Sequence, residues 1–125
     1  MIVVVGSRDP ESVFRYTVLL NSLGHSTLGV RATVPLLGCI QDPRSGLLLI
    51  EDGFVPNTSA HNLANLVRNT PGPNSSIPII RVWKGPVLAS GHDCENFVTV
   101  QAPVTANVLE SAMRSLGLGR GVQDR

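Results

Sequence analysis

Residues Leu47 to Pro56 read LLLIEDGFVP. An apolar run stops at two adjacent acids, Glu51 and Asp52, and a glycine and then a proline follow. A short, continuous apolar run bounded by turn residues is typical of a strand that is covered on both faces. The stretch therefore predicts an inner strand of a parallel sheet, which ends in a carboxylate-bearing turn.

Similar apolar runs recur along the chain, and helical patterns lie between them. The predicted strands are Ile2–Val5, Ser26–Val30, Leu47–Ile50, Ile77–Val82 and Phe97–Val100. The predicted helices run from Pro10 to about Gly24, around Val34–Gln41, over His61–Arg68 and from Thr105 to Leu116. Regular alternation of strands and helices predicts an α/β fold, a single doubly wound five-stranded parallel sheet with helices on both faces.

Side-chain patterns and boundaries follow from this assignment. In the first helix we expect the core-facing stripe to comprise Val13, Phe14, Thr17, Val18 and Leu20. The three histidines share no spacing, so we expect His25, His61 and His92 at the surface. The domain is predicted to span residues 1–116, and residues 117–125 are predicted to form a flexible C-terminal tail.

Composition excludes several classes of function. Charged residues make up 15% of the 125 residues and the net charge is +1, so the chain lacks the basic surface typical of nucleic-acid binding. It has no apolar run long enough to span a membrane, and its two cysteines form no metal-ligand pattern. We expect a cytoplasmic protein without a cofactor or a bound metal, whose partners are neither nucleic acid nor membrane.

Sites in such sheets form at the carboxyl ends of the strands. The segments at those ends are Gly6–Asp9, Glu51–Pro56, Trp83–Pro86 and Gln101–Pro103. At these positions the sequence resembles the receiver domain of bacterial two-component response regulators, a flavodoxin-like fold. In that family a phosphoaccepting aspartate ends the third strand and a proline follows four residues later, and Asp52 and Pro56 match them here. The stretches IPIIRVW and VQAPVTANVLESAMRSL resemble the family's fourth strand and its fifth strand with the closing helix.

The remaining chemical residues of the family are replaced. Where the resemblance implies an acidic pair that holds Mg²⁺, the chain has Gly6-Ser7 or Ser7-Arg8, and Asp9 comes one position late. The hydroxyl residue that ends the fourth strand is replaced by Trp83, and the lysine that precedes Pro103 is replaced by Ala102. These replacements indicate a degenerate receiver, or pseudo-receiver, in which Asp52 is inactive and is either a leftover carboxylate or pairs with Arg8 or Lys84.

The leading interpretation is a non-enzymatic regulatory module that acts by binding another protein. Gly85, Pro86 and Gly91 argue against a regular fourth helix, so the resemblance implies a partner surface reshaped around residues 84–96 and 104–116. The candidate partner-binding residues are Gly85, His92, Val104 and Asn107, and a second copy of the chain is a further candidate partner.

Two alternatives stay open. In the first, the chain is an unusual phosphorylatable receiver whose phosphoacceptor is Asp52 and in which Asp9 and Glu51 replace the metal-binding pair. Because Glu51 directly precedes Asp52 in a strand, its side chain is expected on the opposite face, which argues against this role. In the second alternative, the Gly6–Asp9 loop binds a small anion at a helix N-terminus, although the glycines of a dinucleotide site and the Gly-Lys of a P-loop are absent.

Overall fold

The computed structural model describes residues 1–51, 54, 60–72, 74–84 and 96–118, with Thr33 and residues 60–64 described by their backbone alone. Five strands and four helices alternate over most of this part of the chain. In chain order they are β1 (Ile2–Gly6), α1 (Pro10–Ser22), β2 (Ser26–Val30), α2 (Thr33–Ile40), β3 (Ser45–Glu51), α3 (Ala60–Asn69), β4 (Ile79–Trp83), β5 (Phe97–Gln101) and α4 (Ala106–Ser115).

The strands form one parallel sheet in the order β2-β1-β3-β4-β5. The fold class predicted from the sequence is thereby confirmed, and β1 and β3 both lie inside the sheet as expected. The segment with the predicted irregular helix, Gly85–Glu95, lies outside the described residues. The predicted boundary after residue 116 stays a prediction, and the described structure continues to Leu118, whose N–H donates to the carbonyl of Met113 at 2.8 Å.

Strand alternation sorts the core into two layers, one on each face of the sheet. On β3, Leu48 and Ile50 pack with residues of α2 and α3, including Leu36 and Val67. The neighbouring positions on the strand point the other way, and there the cluster with residues of α1 and α4 comprises Leu47, Leu49, Tyr16, Leu20, Leu109 and Met113. Because β3 is buried on both faces, its sequence is continuously apolar.

Local signals explain where the helices begin and end. Asp9 caps α1 by accepting a hydrogen bond from the N–H of Glu11 at 3.0 Å, and Pro10 occupies the first helical position. Thr105 caps α4 through the N–H of Val108 at 3.2 Å. Gly117 follows α4 with a φ of +81°, the left-handed conformation that commonly ends a helix.

Two expectations about side-chain placement are wrong. The buried residues of α1 are Ser12, Tyr16 and Leu20, whereas Phe14 is 71% exposed and Val18 is 50% exposed. The stripe is displaced because two buried polar side chains of α1 have hydrogen-bond partners: Tyr16 donates to Glu51 on β3, and Ser12 donates to Asp9, the residue that caps α1. His25, expected at the surface, is buried.

Arg68 connects the C-terminal end of α3 to the beginnings of two strands. Its Nη1 donates to the carbonyls of Ser75 and Ile77 at 3.1 and 2.8 Å, and its Nη2 donates to the carbonyl of Asn96 at 3.3 Å. Ile77 and Asn96 precede β4 and β5, so one guanidinium satisfies backbone acceptors from two connections. No helix in the part of the chain that the structure describes is long and apolar enough to cross a membrane.

Candidate functional site

Because the strands are parallel, their carboxyl ends lie along one edge of the sheet. Gly6 at the end of β1 pairs with Ile50, and Glu51 at the end of β3 pairs with Val82. The residues that follow, Ser7 after β1 and Lys84 after β4, are therefore brought beside Glu51. This edge is where ligands bind in open α/β sheets.

Glu51 lies at the centre of this edge and is only 5% exposed. The hydroxyl of Ser7 donates to Oε1 of Glu51 at 2.6 Å, and the hydroxyl of Tyr16 donates to Oε2 at 2.7 Å. Both distances are short, as expected when the acceptor is a carboxylate. The Glu51 network, as we call Glu51 with Ser7 and Tyr16, thus joins β3, the end of β1 and α1 inside the protein.

One cation stands at the border of this network. The Nζ atom of Lys84 lies 3.7 Å from Oε2 of Glu51, and the lysine side chain is 52% exposed. At that distance and exposure the ion pair contributes about 0–1 kcal/mol. The two hydroxyl donors therefore stabilise the buried carboxylate more than the lysine does.

Tyr16 shows the effect of the buried carboxylate on its surroundings. Burial, followed by the hydrogen bond to Glu51 and the negative charge of that residue, raises the pKa of Tyr16 well above the ordinary value of a phenol. The hydroxyl therefore keeps its proton over the physiological range and serves as a permanent donor to Glu51.

Asp9, a second described acid near this edge, caps α1. Its Oδ1 accepts from the N–H of Glu11 at 3.0 Å, and its Oδ2 accepts from the hydroxyl of Ser12 at 3.2 Å. Its own N–H donates to Oγ of Ser7 at 3.1 Å, which links the cap to the Glu51 network. Asp9 thus stabilises the turn between β1 and α1.

The space next to Gly6 is filled by apolar side chains. A Cβ atom at this position would lie 3.0 Å from Cδ1 of Leu36 and 3.4 Å from Cε1 of Phe54. An acidic side chain at position 6 would therefore meet two buried hydrophobic residues.

Trp83 lies on the other face of the sheet from the Glu51 network. Val82 packs in the layer with α1 and α4, so Trp83, the next residue on β4, faces the α2 and α3 side. The guanidinium carbon of Arg81 lies 4.7 Å from the centroid of the Trp83 ring, within the range of a cation–π contact. Trp83 is half-buried under this arginine.

The end of β5 contributes backbone contacts to the same edge. The N–H of Ala102 donates to the carbonyl of Trp83 at 2.8 Å, and the peptide bond between Ala102 and Pro103 is cis. Beyond it, Val104 is half-buried and Asn107 on α4 is exposed. Ala102 thus contributes a backbone N–H to this edge, and its side chain is a methyl group with neither a charge nor a hydroxyl.

The structure brings together only part of the predicted site. Ser7 belongs to the Glu51 network, Asp9 and Lys84 contact it, and Arg8 is exposed. Asp52, Gly85 and His92 lie outside the described residues, as does the expected pairing of Asp52 with Arg8 or Lys84.

The sequence predicted that the side chains of Glu51 and Asp52 point to opposite faces of the sheet. Of these two residues, the structure describes Glu51. Glu51 lies on the α1 side of the sheet, where it bonds Tyr16. Its central position was not predicted, because the polar partners are 35 and 44 residues away in sequence. The spacing of Ser12, Tyr16 and Leu20, each four residues after the last, is the sequence signal that could have indicated a buried polar face on α1.

Among the described residues, no group of three or more His, Cys, Asp or Glu side chains could hold a metal ion. Two of the described acids lie at this edge, Glu51 and Asp9, and each accepts hydrogen bonds from the protein on both carboxylate oxygens. A Mg²⁺ ion needs oxygen ligands in near-octahedral geometry. The donor set that the structure describes does not fit this ion.

Comparison with solved structures identifies the fold. The chain superimposes on the response regulator receiver domain from Methylobacillus flagellatus with a TM-score of 0.70 and 17% identity, over 93% of this chain and 98% of that one. The chain has the fold of a receiver domain. A receiver domain of a sensor histidine kinase from Pseudomonas aeruginosa, solved with a magnesium ion coordinated in its active-site cleft, gives a TM-score of 0.72 at 16% identity over 93% and 97% of the two chains.

A third receiver domain, from Bacillus halodurans, gives a TM-score of 0.66 at 18% identity over 93% of this chain and 96% of that one. No protein-family model and no curated protein matches the sequence. At these identities the similarity establishes the receiver fold alone.

Proposed function

We propose that this receiver fold is a non-enzymatic regulatory module, which acts by binding a protein partner in the cytoplasm and does not depend on Mg²⁺-dependent phosphorylation of an aspartate. One observation carries the proposal: the carboxylates of Glu51 and Asp9 are engaged by hydrogen-bond donors of the protein itself. A phosphoryl group transferred to a carboxylate needs a cation to neutralise the crowded negative charge. Engaged carboxylates are poor ligands for that cation.

The neighbouring positions support the same proposal. Leu36 and Phe54 fill the space beside Gly6, and the half-buried aromatic ring of Trp83 stands at the end of β4. Ala102 offers a backbone N–H and no cationic side chain. The chemistry that the receiver resemblance implied is therefore replaced by packing and by internal hydrogen bonds.

We further propose that the partner binds near the end of β5 and along the outer side of α4. Val104 and Asn107 are the candidate contacts there, together with Gly85 and His92 from the segment outside the described residues. Val98, Val108 and Ala112 line a shallow groove between β5 and α4, which offers apolar area next to the exposed Asn107.

Intact mass spectrometry after incubation with Mg²⁺ and a small phosphodonor tests the proposal directly. We expect no phosphoryl adduct, while a receiver with the full acidic pair, treated in parallel, gains one. An adduct that disappears in Asp52→Asn would refute the proposal and establish the phosphorylatable receiver. The same variant should keep the affinity for a protein partner if phosphorylation has no part in the signal.

Emission from Trp83 gives a second measurement on the unmodified protein, since it is the only tryptophan. We expect millimolar Mg²⁺, alone or with beryllium fluoride, to leave the spectrum unchanged. Saturable quenching that is abolished by Asp52→Ala would show that a cation and a phosphoryl mimic enter the site. Inorganic phosphate, titrated separately, tests the anion-binding alternative for the Gly6–Asp9 loop, and we expect no response.

A further inference from the structure

The outer face of α1 carries apolar side chains that no described part of the chain covers. Phe14 is 71% exposed and Val18 is 50% exposed. At 100° per residue, both point almost directly away from the buried stripe of Ser12, Tyr16 and Leu20. Together with Pro10, they line a shallow surface groove. Apolar side chains exposed singly need no explanation, but contiguous ones with charged residues at their rim are a candidate interaction surface.

Two opposite charges flank this face and belong to the same groove. Glu11 and Arg15 lie one turn apart, on the same flank of the line from Phe14 to Val18. When two such helices pack antiparallel, the negative charge on the flank of one copy comes opposite the positive charge on the same flank of the other copy. A two-fold axis preserves the flank while reversing the helix direction.

The helical rise gives the register of such a pair. With the two-fold axis at Phe14, the phenyl rings of both copies meet, and Val18 lies against Pro10 of the second copy. In this register Glu11 lies within about 3 Å, measured along the helix, of Arg15 of the second copy, from a rise of about 1.5 Å per residue. The same pair forms again on the other side of the axis. The two Arg15 side chains also lie about 3 Å apart along the helix, so they sit side by side at the axis with one Glu11 on each side. The register thus combines the apolar contacts with two Glu11–Arg15 pairs, which outnumber the one contact between like charges.

We propose that α1 is a self-association surface, through which two copies of this chain form a symmetric antiparallel helix pair. The proposal is independent of the regulatory function, because that function is placed at the end of β5 and on α4. A helix of 13 residues is about 20 Å long and buries less than the roughly 800 Å² per partner of a standard interface. The dimer is accordingly weak, with a dissociation constant on the order of 100 µM.

Sedimentation velocity of the whole chain, from about 10 µM to about 1 mM around that expected constant, tests the proposal. We expect a concentration-dependent shift from monomer to dimer, and a shift to monomer at all concentrations for Phe14→Ser. Val34→Ser is the matched control, because Val34 is an 80% exposed aliphatic residue on α2, and it should leave the shift unchanged. Far-UV circular dichroism verifies that each variant is folded.

Charge reversal tests the geometry. Glu11→Arg and Arg15→Glu, each alone, place like charges opposite each other and should raise the dissociation constant about tenfold. The double variant restores opposite charges and should recover most of the affinity. A wild-type chain that stays monomeric at 1 mM, or a dimer that persists in Phe14→Ser, would refute the assignment of α1 as the self-association surface. Single reversals that leave the dimer intact, or a double variant no better than the singles, would overturn the antiparallel pairing.

Discussion

Replacing Tyr16 with phenylalanine removes one oxygen atom and keeps the packing of the ring. That oxygen donates to Oε2 of Glu51 at 2.7 Å, in a site where the carboxylate is only 5% exposed. A hydrogen bond to a charged group contributes about 1.5–3 kcal/mol, and among the described residues the distant Lys84 is the partner that the buried oxygen retains. We therefore expect Tyr16→Phe to lower the free energy of unfolding by about 1.5–3 kcal/mol.

Equilibrium unfolding in urea, followed by the emission of Trp83, measures this loss. With an m value of about 2 kcal/mol/M, the midpoint should fall by about 1 M. Ser22→Ala is the control on the same helix, because it removes an exposed hydroxyl and should change stability by less than about 0.5 kcal/mol. A loss below about 0.5 kcal/mol for Tyr16→Phe as well would refute the charged, buried network that we describe.

The raised pKa of Tyr16 adds a pH dependence to the same comparison. Below about pH 10 the phenol is neutral in both states, so it contributes no slope. Above about pH 10 the unfolded chain releases the proton and the folded chain retains it, so stability falls by about 1.4 kcal/mol per pH unit. Tyr16 is the only tyrosine, so Tyr16→Phe should lack this component. Equal slopes for both proteins between pH 9 and about pH 11 would contradict the assignment.

Two further pairs of substitutions test the fold by the same urea unfolding. Arg68→Ala removes three hydrogen bonds to backbone carbonyls and should cost about 1–3 kcal/mol, whereas Arg44→Ala removes an ion pair with a 75% exposed side chain and should leave the urea midpoint nearly unchanged. Gly29→Ala places a Cβ 2.6 Å from Cγ1 of Val13 and should cost about 1–3 kcal/mol, whereas Gly38→Ala meets open space within α2 and should stabilise by about 0.5–1 kcal/mol. Equal effects within either pair would show that the local packing differs from the one described.

Four of the five strands could be predicted from the sequence because each contains a short apolar run between breakers, whereas β2, with the sequence STLGV, was inferred from the gap between two helices. β2 was predicted to the residue, and α4 to within one residue at each end, where Thr105 and Gly117 supply local cap signals. Such signals depend on neighbours in the chain, and these the sequence shows directly.

The placement of side chains depended on contacts that the sequence does not show. Apolar spacing alone assigned Phe14 and Val18 to the core face of α1, but Ser12 and Tyr16 occupy it. Those polar residues can be buried because Asp9 and Glu51 accept hydrogen bonds from their hydroxyls, and Glu51 lies on a strand 35 residues away from Tyr16. A hydropathy pattern assigns polar residues to the exposed face of a helix. Where the polar residues are buried and hydrogen-bonded, the pattern therefore assigns the core to the wrong face of the helix.

The short contact between Ser7 and Glu51 also limits which substitutions the protein can tolerate at position 7. An aspartate at position 7 would place a second carboxylate within about 3 Å of a buried one, where two like charges cannot both stay ionised. An acidic residue at this position therefore requires that Glu51 be replaced first, which would leave Tyr16 and Ser7 without their acceptor. Each single substitution leads through a less stable protein, so an acidic residue at position 7 can be reached only by changing both positions together.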